Sequence, residues 1–104
     1  MTNNRADLAH KYEIVGRFLE IDGINDLLMK TTEKDDDKKM SISAYNGIVI
    51  QMMGKGIKAD KGLMDELVSM NTGKTIEEVQ KIPDGEYSAQ LRLAMLREVF
   101  GFFG

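Results

Sequence analysis

Residues 41–60 read SISAYNGIVIQMMGKGIKAD, and the fold turns on whether this stretch is helix or strand. At a helical period, Ile42, Tyr45, Val49 and Met52 fall on one face, and Ile48, Ile50 and Met53 cover others. A helix that is apolar almost all round is buried on several sides. Ser41 or Ser43 can cap its start. Gly54 and Gly56 are expected to end it or loosen its last turn. The short run Gly47-Ile48-Val49-Ile50 also fits a strand, because β-branched residues favour extended backbone. The helical reading makes 42–53 the central helix of an all-α domain.

On the N-terminal side, Leu8, Tyr12, Val15 and Leu19 are spaced by four, three and four residues, and Ile14, Phe18 and Ile21 widen the stripe. This predicts an amphipathic helix over residues 5–21 with that face inward. Asp22-Gly23 interrupts it, since glycine costs about 1 kcal/mol in a helix interior relative to alanine. Ile24, Leu27 and Leu28 then start a short second helix ending near Lys30. TTEKDDDKK, residues 31–39, has nothing to bury and reads as a solvated, charged loop. Asp35, Asp36 and Asp37 are consecutive and lack the alternation and glycine of a calcium loop, so no metal site is expected.

On the C-terminal side, Asp60 is placed to cap a fourth helix, with Leu63, Met64, Leu67, Val68 and Met70 inward. NTGKTIEEV, residues 71–79, closes that helix and opens the next. Gly73-Lys74-Thr75 looks like the end of a phosphate loop. The first glycine of such a loop would fall at position 68, which is valine, and no strand precedes it. Thr75 with Glu78 three residues on is instead a capping box. Pro83 stops this short helix. Asp84 opens a last one expected to run to Phe102, with Tyr87, Leu91, Met95, Val99 and Phe103 in one row and Leu93, Leu96 and Phe100 in a second.

The 104 residues suffice for one domain with a single core. Cysteine is absent, so there is no disulfide framework. The first sixteen residues lack the basic start and apolar run of a secretory signal. No apolar stretch approaches the roughly 20 residues that span a bilayer. A cytoplasmic protein without membrane contact is expected. Net charge is −3 with both signs interspersed. That pattern favours protein partners over nucleic acid, which selects for a basic face. Eight methionines suit a loosely specified core or an adaptable contact surface.

No enzyme is expected, and no cofactor. His10, the one histidine, has no nucleophile motif beside it. The adjacent acids Asp65-Glu66 and Glu77-Glu78 point about 100° apart on a helix and do not converge on one atom. Charged outer faces explain them. A helix-turn-helix is disfavoured because the fifth helix begins IEEVQ, and its acids would repel phosphates. The end, LREVFGFFG, places three phenylalanines in the last five residues. It reads equally as a core-docked terminus or an aromatic contact patch.

Residues 73–103 carry GKTIEEVQKIPDGEY, then a Leu/Met-rich helix, then GFF. This pattern resembles the tail assembly chaperones of long-tailed bacteriophages. In those proteins a glycine-containing turn is followed by a short [ST]-I-E-E-[IVL] helix and a last helix ending in aromatics. The resemblance implies a non-enzymatic, oligomeric helical protein in the infected cell that holds the phage tape-measure protein while the tail assembles. It implies a contact surface at Tyr87, Leu91, Met95, Phe100, Phe102 and Phe103. An all-α bundle of five or six short helices is expected, and the resemblance implies that it binds the tape-measure protein and itself. The alternative is a small regulatory protein binding a host protein or DNA.

Overall fold

Ile42–Ala59 is one uninterrupted α-helix, so the ambiguous stretch is not a strand. In the computed structural model, which describes residues 5–32 and 41–101, it is α3 in the order α1 (Arg5–Leu19), α2 (Ile24–Thr32), α3, α4 (Lys61–Thr72), α5 (Ile76–Gln80) and α6 (Asp84–Ala94), the last continuing into a π-helical turn, Met95–Phe100. No strand occurs among the described residues. The all-α bundle with a single core is as expected.

The local signals behave as their chemistry dictates. Ser41 caps α3 by accepting from the Ala44 N–H at 3.1 Å. Asp60 caps α4 by accepting from the Leu63 N–H, also at 3.1 Å. Gly73 takes the left-handed conformation, φ 77°, and its N–H reaches Ser69 O, closing α4. Thr75 and Glu78 form the reciprocal box: the Thr75 N–H donates to Glu78 Oε1 at 2.9 Å, and the Glu78 N–H donates to Thr75 Oγ1 at 3.2 Å. Gly73-Lys74-Thr75 is therefore the joint between two helices. The bond from the Thr75 backbone, then that from its side chain, holds the Glu78 carboxyl below the usual carboxylate range.

Two outcomes follow for this joint. Thr75→Ala is expected to cost about 1 kcal/mol, read as a lower urea midpoint. Because Glu78 is held ionised in the fold, its contribution is present above the ordinary carboxylate pKa. It is lost as pH falls through the lowered folded value. Hydrogen exchange at Thr75 N–H should accelerate in that acidic window, and a rate unchanged between neutral and acidic solution, after correction for intrinsic exchange, would remove the box as the cause.

Tertiary packing overrides several expectations. Gly54 and Gly56 neither end nor loosen α3, which continues to Ala59. Gly56 is buried where α3 crosses α1 and α4. A Cβ there would overlap Met64 Sδ and lie 3.2 Å from Phe18 Cε1. Its role is close approach of backbone rather than chain reversal. Ile42, expected inward, is 80% exposed at the first turn of α3. The centre of the bundle is α4, which packs against α1, α3, α5, α6 and the π turn. Its Leu63, Met64, Leu67 and Val68 are all buried.

In α1 the buried face is Ile14, Val15 and Phe18, whereas Leu8 and Tyr12 are exposed because only the C-terminal half of the helix lies over the core. Helix α1 stops at Leu19 rather than residue 21. Helix α2 takes in Thr31 and Thr32, which were expected in the loop. The rest of that loop, with Asp35, Asp36 and Asp37, lies outside the described residues.

The last helix departs from α geometry at Met95. Its apolar row repeats every four residues, and an α-helix rotates such a row by about 40° per repeat. The wider π turn, closed by i→i+5 bonds, offsets that drift. It keeps Val99 buried with Leu91 and Met95.

Candidate functional site

Four elements enclose an open groove of about 680 Å³. The C-terminal half of α3 contributes Met53 and Ile57, and α5 with its exit contributes Val79 and Ile82. These four make the groove apolar. Polar groups come from α4 (Lys61 and Asp65) and from the first turns of α6 (Asp84, Tyr87 and Ser88). Pro83 sets the direction of α6: its carbonyl accepts from the Tyr87 N–H at 2.8 Å, fixing the first turn that aims Tyr87 at α4.

Asp65 is the one buried charged residue of the described core, 3% exposed. The Tyr87 hydroxyl donates to its Oδ1 at 2.7 Å. Burial, then this hydrogen bond and the Asp65 charge, push the Tyr87 phenol far above its usual range. Tyr87 is thus a neutral donor at any physiological pH. No cation lies within 4.0 Å of Asp65 among the described residues, although Lys61 is one turn earlier on the same helix.

A second feature adjoins the groove. The outward side of α3 carries Gly47, Ile50, Gly54 and Ile57, at spacings of three, four and three. That is two heptads of an a/d seam. Ile50 is 63% exposed and Ile57 42% exposed. A Cβ at Gly47 or Gly54 would meet nothing within 4 Å. Solvent-facing sides of surface helices ordinarily carry charge, and this side alternates glycine with isoleucine. Ile57 belongs to both the seam and the groove.

Ion pairs gather elsewhere, between α1 and its neighbours. Arg17 reaches Asp60 at 3.3 Å and Glu66 at 3.6 Å, His10 lies 3.8 Å from Glu66, and Lys11 meets Glu98 at 2.9 Å. The Arg17 pairs lie at the surface, where such a pair contributes about 0–1 kcal/mol, and the Lys11–Glu98 pair is half-buried. His10 is accounted for as a surface partner of Glu66. Among the described residues no three His, Cys, Asp or Glu side chains cluster to hold a metal. No described helix is long and apolar enough to cross a membrane.

The expected contact residues separate. Tyr87 lines the groove. Leu91 and Met95 have no exposed surface and belong to the core, which corrects their expected place at a contact surface. Phe100 is half-buried, with its ring 5.4 Å from that of Tyr45 and tilted by 55°. Phe102 and Phe103 lie outside the described residues. Asp65 had been read as half of a charged outer pair. Glu66 fits that reading, but Asp65 faces inward. On a helical wheel it sits about 60° beyond Val68, at the edge of a buried arc that starts at Leu63. The breadth of that arc was the available signal.

No family model, curated protein or solved structure matches the chain.

Proposed function

We propose that the chain is a non-enzymatic tail assembly chaperone of the long-tailed phage type, which holds a helical segment of the tape-measure protein and associates with copies of itself. The observation that carries this reading is the groove whose accessible apolar wall is Ile57 and Ile82, with the buried Met53 and Val79 also lining it. An amphipathic helix lays its apolar face in such a groove with little side-chain readout. Methionine suits that use because it repacks readily. A tape-measure protein offers long helical segments of this kind. The contact surface is thus Tyr87 with the groove, and Leu91 and Met95 belong to the core.

Co-expression with a tape-measure fragment is the test. A soluble complex that co-elutes, and that is lost when Ile57→Lys places a charge in the groove, is the expected result. A fragment that stays insoluble beside a folded chain overturns the reading.

Self-association is assigned to the α3 seam with a second copy as occupant, because the seam is self-complementary. In an antiparallel pair centred on position 52, Ile50 of each copy lies over Gly54 of the other, and Ile57 over Gly47. Large side chains fill the glycine gaps, and Lys58 faces Asn46 rather than another lysine. The 18 residues of α3 make a helix about 27 Å long, and one helix face falls short of the roughly 800 Å² per partner of a stable interface. A weak, exchanging dimer is expected by sedimentation velocity. Gly54→Ala should weaken it about tenfold while raising monomer stability by about 1 kcal/mol. The exchange Ile50→Ala with Gly54→Leu, which swaps large for small at facing positions, should restore association. A monomer at all concentrations, or a dimer indifferent to Gly54→Ala, would remove the seam.

A further inference from the structure

We propose that Asp65 is a recognition site for a single lysine or arginine side chain, carried by the helical segment that the groove holds. The inference rests on the groove being a docking surface and deepens that reading by naming what the groove selects. It begins from an unbalanced charge. Asp65 is 3% exposed, and an ionised carboxylate has acceptor sites for about four hydrogen bonds. One neutral donor, the Tyr87 hydroxyl, is supplied. Taking a carboxylate out of water is costly unless a counter-charge and further hydrogen bonds accompany it. The free chain leaves this requirement to the solvent of the groove.

The surroundings fit one kind of group. Ile57 and Ile82 offer accessible apolar contact to a chain of methylenes, and Asp65 lines the same groove. A lysine or arginine has that form, an aliphatic stem with a cationic head. Asp84 adds a second negative charge among the lining residues, against the single positive charge of Lys61. The electrostatic balance of the groove thus favours a cation. The same carboxylate rejects wrong partners. A wholly apolar segment would seal Asp65 from water without a partner, and an acidic one would add repulsion.

The full-length chain labelled at its methionine methyl groups provides the test, with n-butylguanidinium, n-butylammonium and n-butanol as probes at constant ionic strength. Both cations should shift the Met53 methyl resonance saturably, and n-butanol about tenfold more weakly. Asp65→Asn keeps an acceptor for Tyr87 and should abolish the preference for cations. n-Butanol binding as well as the cations, or cation binding that survives Asp65→Asn, overturns the proposal.

Melting temperatures separate the intramolecular alternative. An uncompensated buried carboxylate makes Asp65→Asn melt later than the parent chain. If Lys61 neutralises Asp65 in the free chain, Lys61→Gln and Asp65→Asn both melt earlier, and the site is not available to a partner. These probes do not involve the tape-measure protein. A failed co-expression therefore rejects the chaperone reading alone, and the n-butanol result rejects the cation site alone.

Discussion

Phe18→Ala should lower the stability of the chain by about 3–5 kcal/mol, a fall in melting temperature of roughly 12 °C or more for a domain of this size. Phe18 has no exposed surface. It lies on α1 against the point where α3 crosses α4, near enough to Gly56 that an added Cβ would be 3.2 Å from its ring. Three helices therefore lose contacts when the ring is removed. The cavity left behind is bordered by backbone at Gly56, which has no side chain to move into it. Collapse into the void is poor there, and this places the cost toward the upper part of the range. Circular dichroism melts of Phe18→Ala and of Leu8→Ala make the comparison. Leu8 is equally apolar but exposed, and its removal should shift the midpoint by less than about 3 °C. Similar shifts for the two variants would mean that the crossing is not the core.

Gly56→Leu tests the same crossing from the other side and is expected to cost about 3 kcal/mol through overpacking. A side chain at this position must displace Met64, whose Sδ already occupies the space, or push α3 away from α4. The penalty outweighs the gain of about 1 kcal/mol that replacing glycine brings to a helix interior. Two residues earlier the sign reverses, because Gly54 faces open space. Met64→Ala should relieve part of the Gly56→Leu penalty, with a coupling of about 1 kcal/mol or more in the double-mutant cycle. Strict additivity of the two changes would show that they do not meet.

These outcomes depend on tertiary contacts, and the boundary between what the sequence showed and what it did not follows the same line. The caps at Asp60 and Thr75 and the αL glycine at 73 were readable because each is satisfied within about five residues of itself. The helical reading of 42–53 was readable from its period, since four α3 side chains that end up buried, Ile48, Val49, Met52 and Met53, recur at one- and three-residue steps. Gly54 and Gly56 misled because a glycine's local preference for ending a helix lost to a crossing that only distant residues create. Leu8 and Tyr12 misled because periodicity gives the face of a helix but not how far along it the core extends. Of the groove, Tyr87 was anticipated and Asp65 was not. An acid beside another acid reads as a solvated face until the tyrosine 22 positions later is seen to donate to it.

Ile57 stands in both the groove and the outward seam of α3, so the two proposed occupants contend for one side chain. A copy of the chain seated on the seam covers a wall that the client helix needs. If both proposed occupants bind, loading and self-assembly compete, and added client draws the homotypic form apart by mass action. In such an arrangement the assembled state is a reserve that releases working monomers as each new length of client emerges.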